Sequence, residues 1–230
     1  TAQVAALTTA QLVGLATDQI AAWGTDQLGA LGTAQLAALG SAQVAALTTD
    51  QVASLGSADA AALGAAQLRA LTTAQMAALA TEAVVGLTTA QMSQFSSAQL
   101  AAWSTDQVVA LETADLRALS ATQLAGFGSD AIAALTTAQS GAFTTAQLAS
   151  LGTAQVAALT SDAVAGFSTA QMAALGTAQV AALGTDHIAA LSTAQVAALS
   201  TAQLRVLGSD QFAQLDTAAV AALTSTQVAS

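Results

Sequence analysis

Large apolar residues recur along this chain at two alternating intervals, three residues and then five, from Val4 and Leu7 through Leu12 and Leu15 to Val220 and Leu223. The two intervals define an octad, as in Thr33-Ala34-Gln35-Leu36-Ala37-Ala38-Leu39-Gly40. It runs 28 times from Thr1 without insertion or deletion, and six further residues follow. Position one is Thr or Ser in 27 of 29 octads, Ala65 and Ala121 departing, and position four is large and apolar in 27 of 29, Ala60 and Ser140 departing. Position seven is Leu, Phe or Trp in all 28, position three is Gln in 22 of 29, and position eight is Gly, Thr or Ser in 24 of 28.

A continuous helix does not fit this pattern. Eight residues at about 100° each carry the apolar pair on by roughly 80° per octad, so it would spiral around the helix instead of forming a stripe. A strand fails too, because positions four and seven would point to opposite faces. Short helices broken once per octad fit. Positions four and seven then form an i, i+3 pair on one face. Thr or Ser at position one is expected to be the N-cap, with acids at position two in the first turn, where the helix dipole favours them. Gly at position eight is expected to be the left-handed residue after the helix, with a different exit geometry where Thr replaces it, as in Leu47-Thr48-Thr49. A helix of about six residues cannot stand alone. Each must therefore bury its face on its neighbours, which predicts an all-α superhelical solenoid with one very short helix per octad.

The imperfections carry a second period. The position-two acids Asp26, Asp50, Glu82, Asp106, Asp130, Asp162, Asp186 and Asp210 are separated by 24, 32, 24, 24, 32, 24 and 24 residues, a mean of about 3.3 octads. Asp59, Ala83, Asp115, Ala131, Ala163, His187 and Ala219, which replace Gln at position three, keep nearly the same phase. A superhelical turn of about 3.3 octads places both sets along one side of a three-sided coil. A duplicated block of 80 residues is the simpler alternative: Thr81-Glu82-Ala83-Val84-Val85-Gly86-Leu87 is echoed by Ser161-Asp162-Ala163-Val164-Ala165-Gly166-Phe167. Duplication copies a spacing but does not create the three-three-four rhythm inside each block. Neighbouring turns about 8–10 Å apart would then give a rod on the order of 80 Å long. Gln at position three flanks the core, and its amide is expected to bond backbone groups left open at helix ends in an adjacent turn. Where Gln is lost, that side is expected to be supported differently, with another chain as one source.

Composition narrows the functional classes. The whole of 1–230 reads as one elongated domain, a segment of a longer array. With 3 Arg, no Lys, 13 acids and a formal net charge of −10, the chain has little with which to neutralise a run of phosphates, so no nucleic-acid partner is expected. Without Cys there is neither a disulfide framework nor a thiolate metal site. A polar residue interrupts every octad, so no membrane span is expected despite a mean hydropathy of +0.62.

No catalytic constellation, cofactor or small-molecule substrate is indicated. His187 is the only imidazole and sits in a Gln slot, where it reads as a tolerated substitution. Asp50 with Asp59, or Asp106 with Asp115, are the carboxylate pairs that could approach one another, but nothing in the sequence gives them a cleft. The series from Asp26 to Asp210 could collect cations, and calcium is its alternative reading. Ordered calcium, however, needs six or more oxygens around one point, whereas acids on stacked turns stand about 10 Å apart. Helix N-terminal charge and solubility are the better account. The aromatics Trp23, Phe95, Trp103, Phe127, Phe143 and Phe167 fill position seven and Phe212 position four, and Met76, Met92 and Met172 also fill core slots, which leaves no haem ligand set.

The outward positions, expected to be two, five and six, are mainly Ala. Such a smooth, weakly charged surface points to lateral contact with other copies. The octad in Thr153-Ala154-Gln155-Val156-Ala157-Ala158-Leu159 resembles the octapeptide arrays of very long secreted or surface proteins of Gram-negative bacteria, across the whole chain. Such proteins carry labels such as haem utilisation, adhesin or calcium binding. The resemblance implies an extracellular location and a structural role. The expectation is a non-enzymatic repeat that forms a fibre or matrix by self-association. The alternatives are a passive stalk in a giant adhesin and a solenoid that binds cations or peptides.

Overall fold

The computed structural model describes residues 1–229. Among them the secondary structure is helical throughout: 29 helices of four to six residues, α1 (Ala2–Ala5) to α29 (Ser225–Val228), one per octad, so that αn belongs to octad n. The solenoid of short helices expected from the octad is the fold. Helices three octads apart stack on one another. α5 (Thr33–Ala38), α8 (Ser57–Ala62), α11 (Thr81–Gly86) and α14 (Thr105–Val109) form one such series. α18 (Thr137–Gly141), α21 (Ser161–Ala165), α24 (Thr185–Ala189) and α27 (Ser209–Phe212) form another. The first series lies in the compact unit Thr1–Ala118 and the second in the compact unit Leu119–Ser230.

The caps lie one residue earlier than the sequence reading placed them. The N-cap is position eight of the preceding octad, and position one is already the first helical residue. Thr48 has φ −71° and ψ 161°, and its hydroxyl accepts from the Gln51 N–H at 3.2 Å. Gly40 serves the same role at φ −68° and ψ 154°, without a hydroxyl. Gly at position eight is therefore an N-cap in extended backbone and not a left-handed residue: no described residue has positive φ. Nor does Thr in place of Gly change the geometry, because both angles suit any L-residue.

Gln at position three closes the cap from the other side and then joins the turns. The Gln43 Oε1 accepts from the Gly40 N–H at 2.8 Å, while its Nε2 donates to the Leu12 and Leu15 carbonyls, both at 2.8 Å. Gln67 does the same to Leu36 and Leu39, and Gln179 to Leu148 and Leu151. The acceptors lie 31 and 28 residues back, four octads away, whereas the stacked helices are three octads apart. Within each unit a turn thus closes between three and four octads, as the spacing of the acids implied.

Each buried Gln meets a paired need, since its carbonyl takes an open helix N–H and its amide supplies donors to open helix-end carbonyls. Replacing Gln75 by Ala removes the acceptor for the Thr72 N–H and the donor to Val44 and Leu47. The expected loss is about 2–3 kcal/mol, read from urea unfolding followed by circular dichroism. Gln75→Glu should do no better than Ala, because a carboxylate sets a charged acceptor against two carbonyl oxygens.

In each unit the core is a column of position-four and position-seven side chains, such as Leu36 and Leu39 in the first and Val196 and Leu199 in the second. Burying each contributes roughly 1.5–3 kcal/mol. At two places 80 residues apart the column narrows. Ala60 and Ser140 occupy position four, both fully buried, and three octads later a Gly lies at position six. A Cβ built on Gly86 of α11 would stand 2.3 Å from the Ser57 carbonyl oxygen of α8. One on Gly166 of α21 would stand 2.9 Å from the Thr137 Cγ2 of α18. These same octads carry Ala83 and Ala163 in the Gln slot. In these two octads, which lack the glutamine, close packing on the helix three octads before supplies support from within the same unit.

Candidate functional site

Position six is the expected outward position that the structure takes away. Ala38, Ala78 and Ala118 are half-buried, because position six of one octad rests over position one of the octad three before it. The Ser150 Oγ, for instance, donates to the Ala121 carbonyl at 3.0 Å. What faces outward is positions eight, one, two and five, as in Gly152, Thr153, Ala154 and Ala157. The exposed face therefore combines small apolar groups with Thr and Ser hydroxyls, and few charges interrupt it. Four position-five or position-six slots carry a larger apolar group: Val13, Val85, Val109 and Val206 are exposed.

The acid series behaves as the helix-start reading required. Asp26, Asp50, Glu82, Asp106, Asp130, Asp162, Asp186 and Asp210 each lie in the first turn of a helix and are exposed. Stacking brings α4 (Thr25–Leu28) under α7 (Thr49–Ala53), α11 under α14, and α21, α24 and α27 into one row. Among the described residues no three His, Asp or Glu side chains gather closely enough to hold a metal ion. The two acids of the candidate carboxylate pairs that occupy Gln slots are engaged elsewhere. The Asp59 carboxylate accepts from the Gly56 N–H at 3.0 Å, and the buried Asp115 accepts from the Thr89 Oγ1 at 2.9 Å.

His187 is a buried stand-in for Gln. Its Nδ1 accepts from the Gly184 N–H at 2.8 Å, and its Nε2 lies 2.6 Å from the Leu159 carbonyl. An accepting Nδ1 fixes the neutral tautomer with the proton on Nε2, which donates to Leu159. The ring thus reproduces the cap and one of the two bridging bonds. His187→Gln adds reach to the Val156 carbonyl and should raise stability by about 0.5–1.5 kcal/mol in the same urea assay.

The aromatics at position seven are core residues, as expected, with Trp23 half-buried. Phe95 and Trp103 meet edge to face at 5.8 Å. Phe212 departs from expectation: it is 46% exposed and lines, with Leu204, Val220, Leu223 and Val228, an open groove of about 320 Å³. Val220 and Val228, the position-four residues of α28 (Thr217–Ala221) and α29, are exposed as well, at 38% and 68%.

Among the described residues no helix is long and apolar enough to cross a membrane. The family model of the ALTTAQ repeat matches residues 20–57, 52–89, 108–145, 141–169, 164–193 and 188–217. No curated protein matches the chain.

Proposed function

This chain belongs to the ALTTAQ repeat family, and on that footing we propose that it is a non-enzymatic structural element whose copies associate into an extracellular fibre or matrix. The observation that carries the reading is the outward face. Positions two and five present mostly Ala, so two such faces can approach closely with little side-chain entropy lost. The polar groups best able to do chemistry are occupied: the position-eight hydroxyls cap helices, and the buried glutamines cap and bridge. Calcium has no part in this reading, since the exposed acids sit singly at helix starts.

Electron microscopy of the protein released from or displayed on cells tests it. The expected result is filaments with a repeat near the spacing of stacked turns, roughly 10 Å. Purified chain that stays monomeric at high concentration would refute it. A passive stalk is the second reading, favoured by one observation: the bridging bonds and stacked helices within each unit come from the chain itself, so the coil needs no partner to stand.

A further inference from the structure

Lateral association of a chain with net charge −10 requires that its acids not face one another. We infer that the acid-bearing side of the first unit docks against the arginine-bearing side of a second copy. The inference rests on the self-association proposed above and specifies its faces.

Because a turn closes between three and four octads, steps of three, four and three octads return to one side. Octads 4, 7, 11 and 14 are so related, and they carry Asp26, Asp50, Glu82 and Asp106. Octad 9 lies two octads from both 7 and 11, on the opposite side, and carries Arg69; octad 15, one octad beyond 14, carries Arg117. Both arginines are at position five and exposed, and Arg69 is held outward over the next turn by the Gln94 Oε1. The first unit thus has an acid side without a cation and its two cations elsewhere around the coil.

The acid side also has the apolar area that a contact needs. Val85 is 52% exposed and Val109 41% exposed, on the stacked helices α11 and α14 that carry Glu82 and Asp106. Position five is usually Ala, so these valines enlarge the apolar surface where the acids are. An apolar patch rimmed by carboxylates fits a partner with small apolar groups and a few guanidinium groups. Octads 9 and 15 of another copy offer that: Ala65 and Ala66 on the helix of Arg69, and Ala114 on the helix of Arg117, all exposed. The two faces of this contact differ, so each copy keeps one of each free for a further copy, and repetition yields a chain or ring of copies and not a two-fold dimer.

Charge reversal in the full 230-residue chain tests the pairing. R69E/R117E makes both sides acidic, and E82R/D106R cancels the charge of the acid side, where Asp26 and Asp50 remain, and sets arginines beside Val85 and Val109; all four positions are exposed, and circular dichroism checks that the fold is kept. Each variant alone should lower the sedimenting fraction about tenfold at low salt, and mixing the two should restore it, with opposite faces now on different chains. Assembly of either variant at the wild-type level, or a mixture that stays soluble, overturns the pairing while leaving self-association standing. Wild-type chain that never assembles overturns both.

Discussion

Leu159→Asp abolishes ordered structure around octad 20. Leu159 is 3% exposed, its side chain closes the core column, and its carbonyl receives the Nε2–H of His187. An ionised carboxylate there has no partner and no water, and the expected cost exceeds about 4 kcal/mol. A single octad helix has almost no stability of its own. The penalty is therefore relieved by releasing α20 (Thr153–Ala158) together with the contacts it makes to α17 (Ser129–Ala133) and α23 (Thr177–Ala181). Hydrogen exchange read by mass spectrometry should show protection lost over octads 17 to 23, centred on octad 20. Leu159→Met, which keeps the volume, should leave the profile close to wild type. Unchanged protection in the Asp variant would mean that the position-seven column is not what holds the turns.

Gly86→Ala is the second large effect, though it adds only one methyl. That methyl would stand 2.3 Å from the Ser57 carbonyl oxygen and 2.4 Å from its Cα, and both belong to backbone. Backbone cannot rotate away, so α8 and α11 must separate, which costs about 3 kcal/mol. Gly166→Ala meets mainly the Thr137 Cγ2, a side-chain end that can turn, and should cost about 1 kcal/mol. Gly128→Ser has open space around its Cβ and gains a capping hydroxyl, so it should change stability by only a few tenths of a kcal/mol. Urea unfolding of the three variants should rank them in that order. An equal effect at Gly86 and Gly128 would remove the close approach as the cause.

Most of the fold was legible because the octad repeats one physical problem many times. The interval of three between Leu36 and Leu39 gives a helical face, the break at Gly40 limits its length, and the acid spacing gives the turn. The role of Gln43 was legible in outline, since a polar residue so faithfully repeated beside a core needs backbone partners. The cap register was misjudged because Thr48 and Thr49 offer adjacent hydroxyls. A deciding signal was present: Thr48 to Gln51 is the three-residue spacing of a capping box, whereas Thr49 to Gln51 is not. Gly at the same position then follows as a tolerated N-cap.

The outward face was harder to read. Positions five and six are chemically alike, and only the seating of Gly86 over Ser57 or Ser150 over Ala121 shows that position six is a joint between turns. The coupling of Ala60 with Gly86 also joins residues three octads apart, which an octad-by-octad reading does not pair. The echo between Thr81–Leu87 and Ser161–Phe167 marked the place, and the matching departures at Ala60 and Ser140 were its other half.

The glutamine bridges fix how far apart in sequence two partners must be. Gln35 reaches back to Leu7 across 28 residues, and Gln203 to Leu175 across the same distance near the other end. Each octad that carries the glutamine thus closes a loop of the same size, so lengthening the array adds no entropic barrier to winding it. The first bridge can close once the fifth octad is available, and each later octad lands on a finished template. A chain that becomes available from one end can therefore wind octad by octad, without waiting for the rest of the array.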